Sequence, residues 1–145
     1  LGVRRCVLRT AVVLGRDGGL LGLMALPVRL FAGGRLGNGK QAVPWVHLQD
    51  VVGVVRFLLE NPDASGVYNL IAPQITTNAA FYRSLALALK RPYWFPTPAF
   101  LLRMVLGEMA VLIVDGRPAM PERLLEAGYT FKYPRLEPAL RKLFS

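Results

Sequence analysis

The stretch from Pro44 to Leu70, PWVHLQDVVGVVRFLLENPDASGVYNL, constrains this chain more than any other, because it reads as strand, helix, strand. Trp45 to Leu48 is a short β-prone run. Asp50 is expected to cap the helix that follows, its carboxylate accepting the free N–H groups of the first turn. Val51 to Leu59 is apolar except at Gly53 and Arg56, which fall with Glu60 on one narrow helical face. A helix with so broad an apolar surface has to be covered on most of its sides. Asn61-Pro62 ends it, Ser65-Gly66 turns the chain, and Val67 to Ile71 is the next strand. A unit this apolar points to the α/β class with a largely parallel sheet.

Upstream, Cys6 to Leu14 (CVLRTAVVL) is a nearly continuous β-branched run and reads as a central strand buried on both faces. Arg9 interrupts it, and a charge there has to be paired or reach a site. The turn GRDGG, Gly15 to Gly19, lies at the carboxyl end of that strand, where open α/β sheets bind ligands. It has neither the GxGxxG spacing nor a P-loop Lys, so by itself it is no phosphate motif. Leu20 to Phe31 is helix-like, with a kink or break expected at Pro27. Ala32 to Val43 is a Gly-rich loop carrying Arg35, Asn38, Lys40 and Gln41; it reads equally as a ligand cover or as a plain surface excursion. His47, the one histidine, is a general acid/base candidate or a hydrogen-bonded core residue.

Downstream, Thr77 is placed to cap a helix from Asn78 to Leu89, whose stripe of Phe81, Leu85, Ala88 and Leu89 is a core face. Tyr93 to Pro98 is short, aromatic and extended, and Pro98 to Val114 is helical with a break at Gly107-Glu108. Glu122 to Ala127 is a short helix closed by Gly128. Tyr129 to Tyr133 reads as a small strand, and Leu136 to Phe144 as a final amphipathic helix with Arg141 and Lys142 near its negative end. From about Pro92 the alternation of strand and helix gives way to helix. Residues 1–91 are therefore expected to form the sheet domain and 92–145 a smaller helical subdomain.

Composition narrows the function classes. The chain has 145 residues, 53% of them hydrophobic, yet no run of about 18 uncharged apolar residues, so no membrane span is expected. Leu1 opens the chain without a Met or a signal pattern, and the apolar surplus fits either a piece of a larger protein or a homo-oligomer. With Cys6 alone there is no internal disulfide and no cysteine pair for a metal, and the expected setting is reducing and cytoplasmic. Lys and Arg number 18 against 9 acidic residues, but the basic residues are scattered and no aromatic-basic ladder accompanies them. No nucleic-acid partner is expected; an anionic small molecule or an acidic remainder of the protein accounts for the charge.

Several stretches together resemble one family. They are LRTAVVLGRDGG, GGRLGNGKQAVPWVHLQDVV, GVYNLIAP and the late MPERLLEAGYTFKYP with LEPAL. The chain is similar to the carboxy-terminal half of NAD(P)-dependent epimerase-like proteins, extended short-chain dehydrogenases/reductases with their own carboxy-terminal domain. The resemblance implies the later part of a Rossmann-like doubly wound parallel sheet plus a small, mainly helical subdomain. It also implies NADP or NAD as cofactor, a small-molecule substrate, and hydride transfer at a carbonyl carbon. The dinucleotide fingerprint and the Tyr-x-x-x-Lys pair belong to the other half; neither occurs in this chain, so no catalytic residue is assigned here. Arg9, Thr10, Ala11, Val12 and Val13 correspond to the strand beside the nicotinamide. Asn38, Gln41, Trp45 and His47 correspond to the substrate side. Val43-Pro44 stands where sugar-nucleotide members carry a diphosphate-clamping Arg, which weakens a sugar-nucleotide substrate. The alternative implied role is a non-catalytic Rossmann-like regulator or scaffold, of the kind associated with division.

Overall fold

The structure, a computed structural model, describes residues 4–15, 20–29, 40–93 and 120–144. In chain order its elements are β1 (Cys6–Thr10), β2 (Val12–Leu14), α1 (Leu20–Arg29), β3 (Trp45–His47), α2 (Leu48–Glu60), β4 (Gly66–Leu70), α3 (Asn78–Leu89), α4 (Glu122–Glu126) and α5 (Leu136–Leu143). Both strand pairings are parallel, β1 with β4 and β2 with β3, so the fold is mixed α/β as the alternation of elements predicts.

The run Cys6 to Leu14 is two strands rather than one. The Ala11 N–H donates to the Leu70 carbonyl at 3.2 Å, and the next N–H, of Val12, donates to the Pro44 carbonyl at 3.2 Å. The chain thus leaves β4 and joins β3 between adjacent residues. The expected burial on both faces is corrected for β1, which is only partly covered. It belongs instead to β3, whose alternating side chains enter two different cores. Trp45 joins a cluster in which Leu21, Met24 and Val28 of α1 meet Phe81, Tyr82 and Leu85 of α3 and Leu140 of α5. Val46 joins a second, with Val54 and Leu58 of α2, Tyr68 and Leu70 of β4, Leu124 of α4 and Phe131.

Three further readings change. α1 runs on through Pro27 to Arg29. The missing N–H falls in the last turn, where a single hydrogen bond is forfeited and little helix remains to be broken. Residues 129–133 are not a strand; two of their N–H groups go to a carboxylate on α2. α2 is covered on one side only: Val54 and Leu58 are buried, while Val52 and Leu59 are 56% and 71% exposed.

Other elements follow their local signals. The Thr77 hydroxyl accepts from the Ala80 N–H at 3.2 Å, capping α3 as its position predicts. Gly128 follows α4 with φ 97, the left-handed conformation that glycine adopts without strain. Most of the Gly-rich loop, most of GRDGG, the aromatic run after Tyr93, the stretch from Pro98 to Val114 expected to be helical and the residues from there to 119 lie outside the described residues. Among the described residues, no helix is long and apolar enough to cross a membrane.

Candidate functional site

The carboxyl ends of β2 and β3 and the first turn of α2 converge on His47 and Asp50, where the sequence placed one candidate ligand residue and one helix cap. The cap assignment is corrected. α2 begins at Leu48, and His47 is the N-cap: its Nδ1 accepts from the Gln49 N–H at 3.0 Å. Accepting there requires a lone pair on Nδ1, so the neutral ring carries its proton on Nε2. That Nε2 is buried and, among the described residues, has no hydrogen-bond partner. Burial lowers the His47 pKa below its ordinary 6.5; the negative charge of Asp50 opposes the shift and the nearby Lys132 adds to it. The ring stacks on Tyr133, with centroids 4.1 Å apart.

Asp50 is fully buried in the first turn of α2. Its Oδ1 accepts from the Tyr129 hydroxyl at 2.8 Å and the Lys132 N–H at 2.7 Å, and its Oδ2 from the Tyr133 N–H at 2.9 Å. The carboxylate is thus solvated by one distant segment. Burial and the Asp50 carboxylate together raise the Tyr129 phenol well above its ordinary range.

The remaining candidates do not share one face: Val12 packs against the cluster that holds Trp45, and Val13 against the one that holds Val46. Arg9 and Thr10, at the end of β1, are exposed, and Ala11, Val12 and Val13 are half-buried. Arg9 lines an open groove of about 580 Å³ with Asn69 and Arg123. Register sets Val12 opposite Trp45 and Val13 opposite Val46, bringing the cofactor candidates beside the substrate candidates. Trp45 itself is a core residue without exposed surface, its indole N–H donating to the Thr76 hydroxyl at 3.2 Å. Gln41 is half-buried and its carbonyl accepts from the Asn78 N–H at 2.8 Å. Asn38 lies outside the described residues. Among the described residues no group of three or more His, Cys, Asp or Glu is placed to hold a metal ion.

A family described as a domain of unknown function (DUF1731) matches residues 97–143. The epimerase family protein SDR39U1 of Mus musculus is 42% identical over 139 residues, 95% of this chain and 47% of its own length. YfhF of Bacillus subtilis, also called an epimerase family protein, is 39% identical across 100% of this chain and 48% of its own. The crystal structure of human SDR39U1 with NADPH superposes with a TM-score of 0.88 at 39% identity, over 97% of this chain and 48% of that one. This chain matches the carboxy-terminal half of the epimerase family proteins. It spans about half the length of the curated relatives it matches. Its α/β fold with parallel strands is that of the same region of the family.

Within this family frame, three residues that sequence reasoning passed over hold the site's surroundings. Arg4, counted only among scattered charges, donates to the carbonyls of Leu58 at 2.6 Å, Leu59 at 3.2 Å and Asn61, closing the carboxyl end of α2. Arg123 donates to the carbonyls of Val67 at 2.6 Å and Ser65 at 2.9 Å and lies over the Tyr68 ring at 4.3 Å. Tyr133 carries the His47 stack. The available signal was the family-like FKYP stretch, which marks the segment without revealing its partner.

Proposed function

We propose that this chain is the substrate-side half of an NAD(P)-dependent epimerase or reductase. The observation that carries the reading is the likeness, over 97% of the chain, to a human relative crystallised with NADPH. In this reading the cofactor, when bound, supplies or accepts a hydride at a carbonyl carbon of a small molecule. The Tyr-Lys acid/base pair and the dinucleotide fingerprint come from the other half of the protein. This chain's own part is to shape the site. Thr10 to Val13, with Arg9 beside them, flank the nicotinamide end; Asn38, Gln41 and His47 line the substrate side, and Trp45 backs it. Residues 92–145 form the cover in this reading, and the protein works in the cytoplasm.

In this reading His47 backs the wall as a neutral ring near pH 7, with Nδ1 taken up as the α2 cap and its proton on the buried Nε2. NADPH binding, followed by its fluorescence, tests the reading on the full-length protein and on this chain. The expected result is saturable binding by the full-length protein and none by the chain alone. No binding by the full-length protein would overturn the reading and leave the non-catalytic role.

A further inference from the structure

The carboxylate of Asp50 accepts from three donors that all come from residues 129–133. It is fully buried, and a buried carboxylate is tolerated only where hydrogen bonds replace its water. Each partner needs the others. Without the carboxylate, the N–H groups of Lys132 and Tyr133 lose their acceptor; without the segment, a carboxylate is left against an apolar core. The next contact outward is the Tyr133 ring on the His47 imidazole. A continuous path therefore runs from the first turn of α2, through the carboxy-terminal segment, and back to the end of β3.

We propose that Asp50 is a positioning residue: it seats Tyr129 to Tyr133 on the amino-terminal end of α2, and through the Tyr133 ring that segment fixes the orientation of His47. The functional weight of this latch rests on the reading of His47 as a wall of the substrate site; the latch itself does not. Gly53 is part of it. A Cβ there would come within 2.5 Å of the Tyr129 hydroxyl, so the phenol reaches the carboxylate only because residue 53 has no side chain. The family-specific segment thus becomes part of the site's construction rather than a separate appendage.

Hydrogen exchange and histidine NMR on the full-length protein test the latch without any ligand, so its failure is distinct from failure of the cofactor reading. In Asp50→Asn an amide N–H group faces a donor in place of one carboxylate oxygen. The Lys132 and Tyr133 amides are then expected to exchange at least about tenfold faster, a factor typical of losing a charged buried acceptor, while β4 keeps its protection. The His47 titration separates the latch from simple packing. If the segment lifts away, burial, the larger cause of the lowered pKa, is relieved and His47 moves up toward 6.5. If the segment stays, only the favourable charge of Asp50 is lost and His47 moves further down. Gly53→Ala provides the second variant, since it pushes the phenol off the carboxylate while favouring the helix by about 1 kcal/mol. Faster exchange confined to residues 129–133 in Gly53→Ala supports the latch, and unchanged exchange there overturns it. Should Asp50→Asn not fold, Gly53→Ala decides alone.

Discussion

His47 does two things with two nitrogens. Nδ1 takes the place of the Asp, Ser or Thr oxygen usually found at a helix start, and Nε2 keeps a proton that nothing in the described residues accepts. Because burial holds the folded-state pKa below 6.5, the unfolded chain binds the proton more readily than the folded one as pH falls. Stability is therefore full above about pH 6.5 and is lost as pH drops through the window below it. Thermal unfolding between about pH 5 and pH 7.5 checks this: the melting temperature is expected to fall toward the acid end. His47→Asn keeps a cap acceptor but has no ionisable ring, so its profile is expected to be flatter over the same range. An equal slope in that variant would assign the pH dependence to other groups. The sequence hid this arrangement because Asp50 is the better cap by type, and only the start of α2 at Leu48 shows the position already filled.

At the level of elements, the strand–helix–strand core was legible from periodicity, as were α3 with its Thr77 cap and α5 with its apolar stripe. What was not legible depends on contacts distant in sequence. Nothing within Cys6 to Leu14 marks the change of partner between Ala11 and Val12, which is set by where β3 and β4 arrive. The segment 129–133 carries β-prone aromatics but answers to Asp50, about 80 residues earlier. Arg123 belongs to this level too. Its guanidinium fork fills the carbonyls of Ser65 and Val67 beside β4, and so closes a strand edge that would otherwise invite pairing with another chain. Arg123→Gln cannot span both carbonyls or stack on Tyr68. It is expected to destabilise by about 1 kcal/mol in denaturant melts, a value held low by solvent exposure, and to increase aggregation. Unchanged stability and solubility would reduce Arg123 to a surface charge.

For the molecule as a whole, the two cores meet at β3, and an apolar face remains outside them. Val52, Val55 and Leu59 line an open groove of about 380 Å³ along α2, and among the described strands β1 pairs with β4 alone. In the proposed reading the remainder of a Rossmann-like sheet covers both, in keeping with a chain that spans about half the length of its relatives. The candidate site is legible only in part for the same reason. Its candidate residues other than Asn38 can be located, whereas the groups expected to do the chemistry are not among them. The account's central claim is that the nicotinamide end of the cofactor lies against the end of β1 and the start of β2. Hydrogen exchange of the full-length protein with and without NADPH measures this most directly. The claim predicts slower exchange on binding for residues 10–15 as well as for the other half of the protein. Slowing confined to the other half, with residues 10–15 unchanged, would contradict it.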